Sequence, residues 1–142
     1  MLVFPGEQTL LEEVRHPLFG LQLREFRLKK AELRGLDCRF AVCRRGCMHS
    51  FGAAIREARP LSCRIFPLAP YLEGDELSVI TDPRAKAVCP FAETLADLPD
   101  ADPEFPDAVR SAFTLLMVEL PGMREFLAAY SAMLDDYRKF LG

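Results

Sequence analysis

The amino-acid pattern predicts an α+β fold: a small cysteine-bearing strand-and-loop region with a metal site, packed against a C-terminal helical hairpin. Three observations predict it. All five cysteines, Cys38, Cys43, Cys47, Cys63 and Cys89, fall in the middle of the chain, and residues 1–37 and 90–142 have none. Short apolar runs bounded by turn residues occupy the same stretch and read as strands. Two long amphipathic patterns follow, beginning at Asp107 and Pro121.

The 142 residues fit a single domain, 1–142, large enough to bury a core, with a cysteine-rich region at 36–92 and terminal helices at 105–141. Half the residues are hydrophobic and 27% are charged, a globular composition rather than a disordered one.

Along the chain, Glu7–Arg15 carries Leu10, Leu11 and Val14 on a short helical stripe ended near His16-Pro17. Between Leu21 and Leu36 the apolar positions are interrupted by Lys29-Lys30. This predicts a two-stranded hairpin rather than one helix, delivering Asp37-Cys38 at a strand end. Cys43–Ala58 reads as partly helical, weakened by Gly46 and Gly52. Pro60, Pro67 and Pro70 argue against a helix through Cys63 and for an ordered loop. Leu68–Glu73 and Glu76–Asp82 flank Gly74-Asp75 as a second hairpin. Asp97–Pro106 is an acidic, proline-rich connection. Val109, Phe113, Leu116, Met117 and Leu120 then mark one helical stripe. Pro121 suits the first turn of the next helix, whose stripe is Phe126, Leu127, Tyr130, Met133, Leu134, Tyr137 and Leu141.

Clustered thiols in a chain without a signal peptide point to metal rather than disulfides. Met1–Glu7 lacks the cationic start and long apolar core of a secretory leader, so a cytoplasmic address is expected, where thiols stay reduced. The odd count leaves at least one thiol outside any internal disulfide. No apolar run reaches the roughly 20 residues that span a bilayer, so no membrane partner is expected. Thiolates are the preferred soft ligands of zinc and iron–sulfur clusters. There is no Cys-x-x-Cys; the spacing runs four, three, 15 and 25 intervening residues. A helical turn from Cys43 to Cys47 would put both sulfurs on one face. Tetrahedral zinc takes four ligands, so four of the five cysteines suffice, with His49 a possible substitute. The bland alternative makes the cysteines small buried hydrophobes, a description that suits Cys43 after Ala41-Val42.

The segment Arg59-Pro60-Leu61-Ser62-Cys63-Arg64-Ile65-Phe66-Pro67 resembles the signature of the YkgJ-like cysteine-rich family of zinc- or iron-chelating proteins. In that family an Arg-Pro-x-x-Cys-Arg segment follows upstream cysteines and precedes another. The resemblance covers roughly residues 36–92 and implies a metal set of Cys38, Cys47, Cys63 and Cys89, with Cys43 the spare. Many members also carry an N-terminal Cys-x-x-Cys-x-x-Cys-Cys run. This chain has no cysteine before Cys38, so its residues permit one site. Arg59 and Arg64 flank Cys63, either as an anion site beside the metal or as braces for the loop.

Charge is divided along the chain. Residues 1–66 hold 12 Lys+Arg against 7 Asp+Glu, and residues 67–142 hold 6 against 14. The basic half would attract nucleic acid or acidic ligands, or its arginines would offset thiolate charge. Few aromatics interleave with the basic residues, which argues against nucleic acid. The expected function is therefore a metal-binding protein with a thiolate zinc site. Its partners are the metal ion and an unknown protein or small molecule, and its state is monomer or homodimer. The alternative is an iron–sulfur enzyme or accessory protein in redox or modification chemistry. Flagellin lysine methylases look distantly similar in their cysteine regions. Cys38 and Arg44 have the Cys-x5-Arg spacing of phosphatase loops, but the residues between are bulky and lack glycine. No catalytic residue is identified.

Overall fold

A Pro-Gly turn begins each of the chain's two main helical departures. In Phe4-Pro5-Gly6-Glu7 the Glu7 N–H donates to the Phe4 carbonyl at 3.1 Å, and Gly6 has φ +81°. In Leu120-Pro121-Gly122-Met123 the Met123 N–H donates to the Leu120 carbonyl at 3.2 Å, and Gly122 also has φ +81°. Both fit type II turns, with proline at the second position and the left-handed third position given to glycine.

The computed structural model describes residues 1–13, 26–43, 59–88 and 103–141. The chain divides into two compact units, Met1–Arg64 and Ile65–Gly142. The class is α+β, with small antiparallel sheets and C-terminal helices, as the sequence predicts.

In the first unit β1 (Leu2–Val3) leads through the turn into α1 (Glu7–Glu13). Strands β2 (Phe26–Leu33) and β3 (Leu36–Cys43) form a hairpin, and β1 pairs antiparallel with β3, giving the order β1-β3-β2. The hairpin turns at Arg34-Gly35, both with positive φ, the requirement of a type I′ turn. Lys29 and Lys30 therefore lie inside β2, not at the turn. As an edge strand, β2 displays Arg27, Lys29, Lys30 and Glu32 to solvent, which discourages pairing with another chain. Cys38 is the third residue of β3, opposite Ala31, and Cys43 is its last residue, opposite Phe26. Cys43 thus belongs to a strand, whereas a helical start was expected; residues 44–58 lie outside the described residues. The helix expected to reach Arg15 is described as far as Glu13.

A further correction concerns Cys63. The prolines do not exclude a helix there, because α2 (Leu61–Ile65) fits between Pro60 and Pro67. Pro60 precedes the first turn, where a missing N–H costs nothing, and its carbonyl accepts from Cys63 at 2.8 Å and Arg64 at 3.1 Å.

In the second unit β4 (Leu68–Glu73) and β5 (Glu76–Thr81) form the expected hairpin, with Gly74 at φ +59° as in a type II′ turn. A short α3 (Ala85–Val88) follows. Helix α4 spans Glu104–Glu119 and α5 spans Met123–Leu141. α4 thus begins inside the proline-rich connection, since Pro106 sits in a first turn that needs no N–H from it. Pro121 belongs to the turn before α5 rather than to its first turn, because Gly122 stands left-handed between them.

Each helix packs more on the β-hairpin than on the other, α5 against β4 and α4 against β5. Phe113, Met123, Leu127 and Leu134 are fully buried, and Tyr130 nearly so. Ser131 on α5 accepts the Leu72 N–H at 2.8 Å, satisfying a buried donor of β4, and donates to the Leu127 carbonyl.

Candidate metal centre

The Arg-Pro-x-x-Cys-Arg segment is held by the N-terminal residues of its own unit. Two backbone N–H groups meet on the Glu7 carboxylate: Phe4 donates at 2.9 Å, and Leu61, the first residue of α2, donates to the other oxygen. The side chain of Ser62 donates to the Leu2 carbonyl at 2.9 Å. Pro60 and Ser62 are buried, and Cys63 is half-buried one residue further on. One acidic residue therefore ties the turn before α1 to the first free N–H of α2.

Burial raises the pKa of Glu7 above its ordinary 4.5, against the pull of the two N–H donors and of the Arg64 charge. The acidic partner anticipated for a loop-bracing arginine is thus Glu7. Because the folded pKa is raised, Glu7 contributes most to stability below about pH 4.5, and that contribution is lost as pH rises through the raised value. Urea unfolding over pH 4–7 is expected to show wild type losing stability relative to Glu7→Gln; parallel profiles would refute the linkage. Glu7→Ala strands two buried donors and is expected to cost about 2–4 kcal/mol.

Arg64 carries an orphaned polar atom. Its Nε is buried and has no hydrogen-bond partner among the described residues. A buried N–H of this kind normally costs stability unless something accepts from it. It stands on the residue next to Cys63, where an ionised sulfur would be a fitting acceptor. Arg59 is half-buried ahead of Pro60.

The other cysteines separate. Cys38 is buried at 8% exposure, and burial, with Asp37 beside it, pushes its thiol pKa up. Cys38 and Cys63 are both free thiols. Cys43 is placed by its backbone at the end of β3, while Cys47, Cys89 and His49 lie outside the described residues. Among the described residues no group of three or more His, Cys, Asp or Glu comes together to hold a metal.

Strand geometry limits the set. Cys38 and Cys43 are five residues apart in β3, and a strand rises about 3.3 Å per residue, so their Cα atoms stand roughly 16 Å apart. Two cysteines on one zinc, with Zn–S near 2.3 Å, need Cα atoms within about 10 Å. One ion can take either, not both.

A shallow groove of about 400 Å³ lies on the outer face of α4, lined by Arg110, Ser111, Thr114, Leu115 and Val118. Arg110 is paired with Asp107 at 2.5 Å, and the Thr114 hydroxyl donates to the Arg110 carbonyl. Its hydroxyls have no base beside them in that lining, so it offers no nucleophile.

Sequence reasoning missed Glu7. Its signal was present in Pro5-Gly6-Glu7, an acidic residue at a helix start directly after a turn. No family model, curated protein or solved structure matches the chain. No helix among the described residues is long and apolar enough to cross a membrane.

Proposed function

We propose that this chain is a metal-binding protein that holds one zinc ion through cysteine thiolates. The reading keeps the likeness to the YkgJ-like cysteine-rich family. Its ligands are Cys47, Cys63, Cys89 and one of the two cysteines of β3. The observation that carries it is the buried, unpartnered Nε of Arg64 next to Cys63, on a helix fastened to the N-terminal segment by Glu7 and Ser62. A guanidinium donor beside a cysteine favours the thiolate over the thiol, which is the form that binds metal.

The chain's own residues supply the rest. Glu7 and Ser62 fix the first turn of α2 and so the backbone of Cys63. Pro60 starts that helix where its absent N–H is harmless. The metal's contribution is to folding: binding energy for a structural thiolate site is coupled to forming the site. A cytoplasmic address accompanies this reading, since ligand thiols must remain reduced.

Elemental analysis and absorption of anaerobically purified protein test it. The expected result is close to one zinc per chain, no visible colour, and a lowered melting temperature after chelation. Brown protein absorbing near 400 nm, as thiolate-bound iron clusters do in rough terms, would replace zinc by iron–sulfur. Metal-free, stable protein with all five thiols titrating would end both readings.

A further inference from the structure

Resting on the zinc reading, we infer that Cys43, not Cys38, is the cysteine of strand β3 that joins the metal site, and that Cys38 is a packing residue. The two exclude each other because about 16 Å of strand separates them. Their places in the hairpin then differ in kind.

Cys38 lies toward the turn end, in register with Ala31 and two pairs from Leu33–Leu36. It is buried at 8% exposure and Leu33 at 5%, and Leu36 is half-buried. A cysteine in such company does what a small hydrophobe does. A zinc ion there would have to displace packed side chains and draw three further thiolates into the hairpin.

Cys43 closes β3 at the other end, in register with Phe26, the first residue of β2. This is the open end of the hairpin, where the chain leaves for Cys47 four residues later. Four residues span at most about 14 Å when fully extended, and any turn brings the two cysteines closer. For Cys38 to share an ion with Cys47, the chain would have to double back along most of the strand. The spacing of three between Cys43 and Cys47 therefore carries the pairing.

The test compares Cys38→Ala with Cys43→Ser by zinc content, and by the thiolate-to-metal charge-transfer band after loading with cobalt(II). Cys38→Ala is expected to keep wild-type zinc and an unchanged cobalt band. Cys43→Ser is expected to bind roughly tenfold more weakly or worse, with a reduced band in whatever cobalt complex forms. The assignment is overturned if Cys38→Ala loses metal or its band drops by one thiolate, or if Cys43→Ser keeps full content and band. Should Cys38→Ala fold poorly, Cys38→Val replaces it: a packing site accepts valine and keeps the metal, whereas a ligand site does not. Metal-free wild-type protein would overturn the zinc reading itself, an outcome seen before any variant is made.

Discussion

Replacing Phe113 with aspartate is expected to unfold the Ile65–Gly142 unit. Phe113 is fully buried on α4, which packs on β5 and β4. Truncating a buried phenylalanine costs about 3–5 kcal/mol, and an unpaired carboxylate adds to that. A domain's whole stability is about 5–15 kcal/mol, so little margin would remain. Far-UV circular dichroism and urea unfolding should show loss of the cooperative transition, with Phe113→Leu retaining it as the control. The same substitution separates two roles for the α4 stripe. Because Phe113 is enclosed by its own chain, its loss should remove folding and not merely assembly. A Phe113→Asp protein that stayed folded while a dimer fell apart would overturn this packing.

Asp82→Ala is the second substitution with a large expected effect. The Asp82 carboxylate is almost wholly buried and takes both ends of the Arg84 guanidinium, Nε at 2.9 Å and Nη2 at 2.6 Å, with the Arg84 backbone N–H at 2.9 Å. Arg84 also donates to the Tyr130 hydroxyl at 2.9 Å and lies 5.7 Å from the ring centres of Tyr130 and Tyr137. One arginine thus joins the end of β5 to α5. Removing Asp82 leaves this guanidinium without its counter-charge, and breaking such a pair costs about 3–5 kcal/mol. Asp82→Ala combined with Arg84→Met should recover part of the loss, since no buried charge is then stranded. If the double variant is as unstable as the sum of the singles, the pair is not the coupling element described here.

Some of this was legible in the residues. Gly74-Asp75 between two apolar runs identified the β4–β5 hairpin, because a left-handed position beside alternating residues has few other uses. Phe113, Leu127, Tyr130 and Leu134 lay on the helical stripes and are buried. The stripes were less informative at their outer ends: Tyr137 and Leu141 are 41% and 47% exposed, because periodicity gives a face and not its extent. Lys29-Lys30 was misleading. A lysine pair interrupts an apolar pattern but suits an edge strand, and only pairing with β3 makes β2 an edge. The proline-framed Cys63 segment was misjudged because proline forbids a helix interior and not a helix start.

The sequence by itself determined the α+β class, the β4–β5 turn, the buried stripes of the last two helices and the concentration of thiols with arginine. These follow from local rules, since turn chemistry and periodicity act within a few residues of chain. Tertiary structure alone decided that Glu7 holds both Phe4 and the first N–H of α2, 54 positions away, and that Asp82 and Arg84 meet Tyr130. It also separated Cys38 from Cys43, by placing both in one extended strand. Such pairings rest on which buried donor finds which acceptor once the chain has folded, and sequence spacing carries no record of that choice.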